Sequence, residues 1–456
     1  TAQGSTIELP IRSSFKEGLT PIEYFISTHG ARKGMTDTAL NTAKAGYLTR
    51  KLFVLAQSVM VTETDCKTKE FITMTKATAS GIQTNFSKNL FSRTVAKDLE
   101  NKDGVVLFKK GHIITKADAV VIEKAGIESV EVRSPLGCKT HRGVCSMCYG
   151  ADLSTGAMID LGESVGTIAA QAIGEPGTQL TMRTFHAGGV ATAAGDITAG
   201  LPRVEELFEN RTPKNAAAVA STDGMVTAVI EKGHEKIIKV LSDIPAKNAK
   251  KGSEIEYAFH PARIAHVKVG QHVSRGQIMT DGSADVDELY EYAGKDAAQA
   301  YIISEVKKIY ELQGDNLSRK HIEIIVREMF NRVKVTSKGD SAFSEGDIVE
   351  SFEFLMANEK LEEAGTIHAK GKHVIMGTME GSLNRQSFLA AASFQNVNRI
   401  LVNASLKGNH DPLYGIMENT LIGRLIPAGT GFKGSQKNLA IEELQAEIEA
   451  GYEERI

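Results

Sequence analysis

The sequence is poor in cysteine, with four in 456 residues, far too few for the disulfide framework of a secreted scaffold. It has no apolar run approaching the roughly 20 residues needed to cross a bilayer, so no membrane span is expected. Residues Thr1 to Pro10 form neither a charged n-region with an apolar core nor an Arg-rich amphipathic stretch. No export signal is visible, and the expected compartment is the cytoplasm. There is no phosphate-binding P-loop, no repeat of fixed period and no low-complexity tract. Charge of one sign is also lacking: the formal net charge is −3, which decides nothing about nucleic acid because binding depends on where basic groups cluster. Proline is absent between Pro21 and Pro135, which leaves room for an uninterrupted helix.

What is present is modular. The length allows roughly three domains, and 42% hydrophobic with 24% charged residues is ordinary for a soluble protein. Residues 1–55 hold seven Lys/Arg against four acids, whereas residues 441–456 hold six Glu and one Arg, so the two ends suit different partners. Thr20-Pro21-Ile22-Glu23 places a capping Thr, a Pro at the first helical position and a Glu three residues after the cap. Helix formers then continue to about Gln57, predicting a rod of roughly 55 Å. Residues 61–135 mix short β-type runs, such as Gly104–Phe108, with a helical piece near Lys116–Lys124. Residues 163–210 read as two helical stretches separated at Gly174-Glu175-Pro176-Gly177 and by a Gly/Ala/Thr loop from Gly188 to Gly200. Residues 216–281 alternate strands and turns, as in a small barrel or sandwich. Helices return over about 285–331, with Ile322, Ile325, Val326 and Phe330 as an apolar stripe.

Three constellations carry chemistry. Along the long helix Gly30, Gly34, Thr38, Thr42 and Gly46 recur every four residues, a row of small side chains. Three helical glycines each cost roughly 1 kcal/mol relative to Ala, so another body is expected to come close. Helix packing would explain the row, and so would a nucleic-acid backbone or base, which the flanking Arg32, Lys33, Lys44, Arg50 and Lys51 favour. Further on, Gln179, Met182, Arg183 and His186 fall on one helical face bounded by glycines. These groups suit a lid that senses a base and holds a triphosphate, although spacing alone fits a plain surface helix as well. Third, Cys138, Cys145 and Cys148 form C-x6-C-x2-C, three ligands of a tetrahedral zinc site whose fourth is Cys66 or His141. Free thiols are the plain alternative.

Two patterns are read as decoys. Gly429–Gly434 matches G-x-G-x-x-G without the strand and acid that a dinucleotide site needs. Asp281, Asp285 and Asp287 read as a solvated loop leading into a helix rather than a magnesium site.

Ile26–Gly34, Asp37–Leu40 and Gly46–Arg50 resemble the bridge helix of the β′ subunit of bacterial DNA-directed RNA polymerase, and Gly174–Gly189 resembles its trigger loop. Lys320–Arg327, Ala391–Gln395 and Gly423–Gly431 are similar to its C-terminal region, so the match runs nearly end to end. The likeness is weakest over 67–135 and 211–260 and after Phe432. It implies that Thr42 and Ala43 lie against the template base and that Arg32 and Lys33 face nucleic acid. It further implies that Met182 stacks on the nucleobase, that Arg183 and His186 contact the triphosphate, and that Gln179 approaches the sugar. His186 would then either protonate leaving pyrophosphate or act as a positioned cation. The resemblance also implies Cys66 as the fourth zinc ligand.

The expected fold is a multidomain α+β chain. It comprises a lead-in (1–19), a bridge helix (20–58), a zinc-binding knuckle region (59–155), a trigger-loop helical hairpin with flanking helices (156–212) and a jaw-like small β-barrel or sandwich (213–284). A helical segment (285–335), a mixed C-terminal module (336–432) and an acidic tail helix (433–456) complete it. The implied cofactors are a structural Zn²⁺ in this chain and a catalytic Mg²⁺ held by the N-terminal half of β′, since the family's aspartate triad is not in this sequence. The implied partners are that N-terminal half, β, the α dimer, ω, sigma factor, template DNA, the RNA transcript and nucleoside triphosphates. The rival expectation is a noncatalytic zinc-containing nucleic-acid-binding or scaffold subunit.

Overall fold

The computed structural model describes residues 7, 9–76, 86–101, 104–187, 200–213, 216–232, 235–243, 252–260, 263–312 and 314–453. The chain is mixed α+β and divides into two compact units, one of Thr1–Thr198 with Tyr310–Ile456 and one of Ala199–Ile309.

The first unit opens with α1 (Pro21–Ala56), a single helix of 36 residues, about 54 Å long. Its start follows the sequence signal: Thr20 and Glu23 form a reciprocal capping box, with the Thr20 amide donating to Glu23 Oε2 at 3.0 Å. Short strands follow, β1 (Val61–Glu63) and β2 (Ile72–Thr75), then α2 (Phe86–Leu90), β3 (Leu99–Glu100), β4 (Val106–Phe108), α3 (Lys116–Lys124) and β5 (Ser129–Val132). Met74, Phe86, Leu90, Val95, Ile122 and Val130 bury a small core there. β6 (Val144–Cys145) and α4 (Ser146–Tyr149) lead to α5 (Val165–Ala187).

The break expected at Gly174–Gly177 does not occur, because α5 continues through Pro176. Packing explains this better than propensity. An added Cβ at Gly174 would lie 2.2 Å from Thr49 Oγ1, and one at Gly166 would lie 1.9 Å from the Ala56 carbonyl. Both glycines seat α5 on α1, and such tertiary contact overrides the local cost of Gly and Pro. The Tyr310 hydroxyl donates to the Ile173 carbonyl at 2.8 Å, close to the point where Pro176 removes a donor from the ladder.

In the second unit α6 (Gly200–Phe208) precedes β7 (Gly224–Lys232), β8 (Glu235–Ser242), β9 (Glu254–Phe259) and β10 (His272–Val273). These strands form one antiparallel sheet in the order β10-β7-β8-β9 over Val226, Ile238, Val240 and Val273. Helices α7 (Val286–Ala293) and α8 (Lys295–Leu312) follow.

Back in the first unit, α9 (Arg319–Met329) is buried on nearly every side, not merely along the expected stripe, and it packs with α1 and α5. β11 (Arg332–Ser337), β12 (Ile348–Glu350), α10 (Ser351–Glu363) and β13 (Lys370–Val374) follow, with β11 central in a three-stranded sheet. Five further helices close the chain: α11 (Thr378–Leu383), α12 (Phe388–Phe394), α13 (Val397–Lys407), α14 (Ile416–Leu421) and α15 (Gln436–Glu453).

Candidate functional site

The cysteines meet because strand pairing brings distant segments together. β1 runs parallel to β6, with Glu63 opposite Cys145, so Cys66 arrives beside the knuckle. The turn before Cys145 needs Gly143, whose φ is +75° and whose added Cβ would lie 2.0 Å from the Met60 carbonyl.

The sulfurs of Cys66, Cys138, Cys145 and Cys148 all lie within 4.8 Å of one another. Cys66 is 3.7 Å from both Cys138 and Cys148. A zinc ion about 2.3 Å from each of four tetrahedral sulfurs sets them about 3.8 Å apart, so this donor set can hold a metal ion and its spacing is compatible with zinc. His141 is not in the group; its ring instead packs on Phe352 with centroids 5.4 Å apart. The cysteines form no disulfide. The Cys138 thiol is held well below its ordinary range by hydrogen bonds from Cys145 and Cys148, and Cys148 is pushed up, chiefly by its bond to Cys138.

Charged groups that sequence reasoning missed fasten this knuckle. Arg327 of α9 donates to the Gly143 carbonyl at 2.6 Å and to the Thr140 carbonyl at 2.9 Å. Arg93 makes a two-pronged pair with Glu323, at 2.7 and 2.8 Å, and Ser134 donates to the same carboxylate at 2.8 Å. Arg133 reaches the sulfurs themselves. No sequence signal marks Arg133, which follows directly on β5.

On α1, Arg32 and Ala43 are exposed and Thr42 is half-buried. Lys33 pairs with Asp37 one turn on. The Thr42 hydroxyl donates to the Thr38 carbonyl at 2.6 Å and that of Thr38 to the Gly34 carbonyl at 2.8 Å, so both hydroxyls turn back to the helix. An added Cβ at Gly46 would meet nothing within 4 Å. Two basic residues read as flanking the row behave differently. Lys51 is buried, with its ammonium 5.0 Å from the Tyr47 ring, and Arg50 donates to the Ser393 carbonyl at 3.2 Å. Both serve packing of the helix's own surroundings.

Gln179, Met182, Arg183 and His186 fall within α5, whose backbone is helical to Ala187; their side chains, and Gly188–Ala199, lie outside the described residues. Gly429–Gly431 forms a short 3-10 turn, and Asp287 lies in the first turn of α7. Asp285 caps α7, Asp281 accepts from the Ile264 amide at 2.9 Å, and the Gly429 amide donates to the Gly162 carbonyl at 2.8 Å. Among the described residues, the four cysteines are the one cluster of three or more His, Cys, Asp or Glu positioned to hold an ion. No described helix is long and apolar enough to cross a membrane.

Comparison with known proteins gives a consistent answer. The chain is 47% identical over 429 residues to the DNA-directed RNA polymerase subunit beta' of Caldanaerobacter subterraneus subsp. tengcongensis, covering 94% of this chain and 36% of that protein. Its identity to the same subunit of Caldicellulosiruptor saccharolyticus is 46% over 442 residues, covering 96% of this chain and 37% of that protein. For Thermoanaerobacter sp. strain X514 it is 44% over 453 residues, covering 99% and 38% respectively. The chain thus spans little more than a third of the length of these curated relatives. The family described as RNA polymerase Rpb1, domain 5, matches residues 18–419, and the chain belongs to that family.

Proposed function

We propose that this chain works as part of a bacterial DNA-directed RNA polymerase, supplying the elements that position the incoming nucleotide and move the template. The observation that carries this reading is the 44–47% identity to beta' subunits over nearly the whole chain. The geometry is in keeping with it: a long helix exposes Arg32 and Ala43, and a second helix seated on it through Gly166 and Gly174 carries Gln179, Met182, Arg183 and His186.

In this reading α1 is the bridge helix. Thr42 and Ala43 lie against the template base, and Arg32 and Lys33 face nucleic acid. The end of α5 and the segment after it form the trigger loop. Met182 stacks on the base, Gln179 approaches the sugar, and Arg183 and His186 hold the triphosphate. His186 serves either as proton donor or as positioned cation. The chain's part in catalysis is to orient the reacting groups and exclude water. The zinc held by the four cysteines ties Cys66 to the knuckle. Mg²⁺ held by the rest of β′ would neutralise charge at the phosphates. The partners are the remainder of β′, β, the α dimer, ω, sigma factor, template DNA, RNA and nucleoside triphosphates, and the setting is the bacterial cytoplasm.

Single-nucleotide addition on a preformed RNA–DNA scaffold tests this directly. Enzyme assembled with Arg183→Ala should add a nucleotide about 100-fold more slowly, as on loss of a transition-state charge contact. An unchanged rate in a fully assembled enzyme would favour the noncatalytic scaffold reading instead.

A further inference from the structure

Arg133 follows directly on β5 and is 4% exposed. Its Nη2 lies 3.2 Å from Cys148 Sγ, 3.3 Å from Cys66 Sγ and 3.7 Å from Cys145 Sγ. Its Nη1 donates to Asp65 Oδ1 at 2.6 Å. Asp65 adjoins Cys66 in sequence and also accepts from the Lys67 amide at 2.9 Å. The guanidinium is thus committed to three sulfurs on one edge and to the loop bearing the remote sulfur on the other.

Four thiolates around a divalent cation carry a net charge of −2, and a buried charge of that size is strongly unfavourable without a compensating partner. A planar fork with several donors suits a cluster of acceptors better than a lysine's single point charge. Cys66 stands 72 residues from Cys138, so the chain alone does little to keep it in place, whereas Arg133 grips both its sulfur and its neighbouring carboxylate.

We infer that Arg133 is the positioning residue of the four-sulfur site: it offsets the cluster's charge and holds the Cys66 arm, and so governs how tightly a thiolate-bound metal is retained. This rests on the zinc reading given above and extends it to a residue that does not ligate. The alternative is that Arg133 only supports the loop through its ion pair with Asp65.

The test measures zinc release to a chromogenic chelator from the assembled protein, together with the thiolate-to-metal charge-transfer band of the cobalt-substituted form. Arg133→Met should release zinc about 10- to 100-fold faster, the usual range for loss of a partner behind the ligands, and should shift the cobalt band. Arg133→Lys should fall between it and the wild type. Asp65→Asn, which removes the ion pair and leaves the guanidinium on the sulfurs, should change release no more than about 3-fold. Equal acceleration by Arg133→Met and Asp65→Asn would overturn the inference, as would an Arg133→Met protein within about 2-fold of the wild type. Where Arg133→Met does not assemble, Arg133→Lys releasing zinc no faster than Asp65→Asn overturns it too. A wild-type protein that takes up neither zinc nor cobalt would instead overturn the metal reading itself.

Discussion

The two halves of α1 are one helix held in two ways. From Pro21 to Lys44 only Gly34 is buried, and large apolar side chains such as Ile22, Phe25, Met35 and Leu40 stand exposed. From Ala45 onward Leu48, Lys51, Leu52, Val54, Leu55 and Ala56 are buried. Arg385 donates to the last carbonyls, Val54 and Leu55, and so closes the C-terminal end. The first half therefore relies on its capping box, on helix propensity and on hydroxyls turned back to the helix. The second relies on packing against α5, α9 and α11. Gly30, Gly34, Thr38, Thr42 and the exposed Arg32 and Ala43 all lie on the less buried half.

The largest loss of stability is expected at the gripped end. Leu52→Ala, at a fully buried position, should destabilise the protein by about 2–5 kcal/mol in denaturant unfolding. Leu40→Ala on the free half should change stability by less than about 0.5 kcal/mol. Similar costs for the two would mean that the halves are not held differently.

The core beneath the grip should also respond to acid. Burial, aided by the nearby Lys320 and Arg93 cations, depresses the His321 pKa from 6.5 to about 4. Between those values the unfolded chain binds the proton and the folded chain does not. The part of the stability that depends on His321 is therefore complete above about pH 6.5 and is lost as pH falls towards 4, by up to about 3 kcal/mol. His321→Gln should flatten that slope in a pH series of unfolding curves. A slope unchanged by the substitution would remove His321 from the account.

Gly174→Ala sharpens the contrast at the helix seam. Its Cβ would meet Thr49 Oγ1 at 2.2 Å, so a loss of about 1–3 kcal/mol is expected, with relief when combined with Thr49→Ala. A double-mutant cycle reads the coupling. A more local effect belongs to the other end of α1: Thr20→Ala should cost about 1 kcal/mol by loss of the cap, seen as faster amide exchange confined to the first turns of the helix. Protection lost as far as Leu52 would mean that the cap, rather than packing, holds the whole rod.

Local signals made some of this legible in advance. Thr20 and Glu23 announced the start of α1, Lys116–Lys124 emerged as α3 with those bounds, and the C-x6-C-x2-C spacing marked the knuckle, because capping, helical period and ligand spacing are properties of neighbouring residues. What could not be read depends on contacts between distant segments. Spacing left Cys66 and His141 open because strand pairing between β1 and β6 decides which comes near. Gly174 and Pro176 read as a break, since the helix that seats them lies more than a hundred residues away in sequence. Glu323 lies outside the apolar stripe of Ile322, Ile325, Val326 and Phe330, yet it is completely buried because Arg93, Ser134 and Arg319 satisfy it. Arg133 carried no signature at all, since a guanidinium near cysteines in sequence is ordinary.

The free half of α1 is also where the functional account is most exposed to refutation. A photo-crosslinking amino acid placed at Ala43, and as a control at exposed Val121 on α3, should be compared in an assembled, actively transcribing complex. The account predicts crosslinks from position 43 to the template strand at the base pairing with the incoming nucleotide, and none from position 121. An active complex in which position 43 captures no template DNA would contradict it.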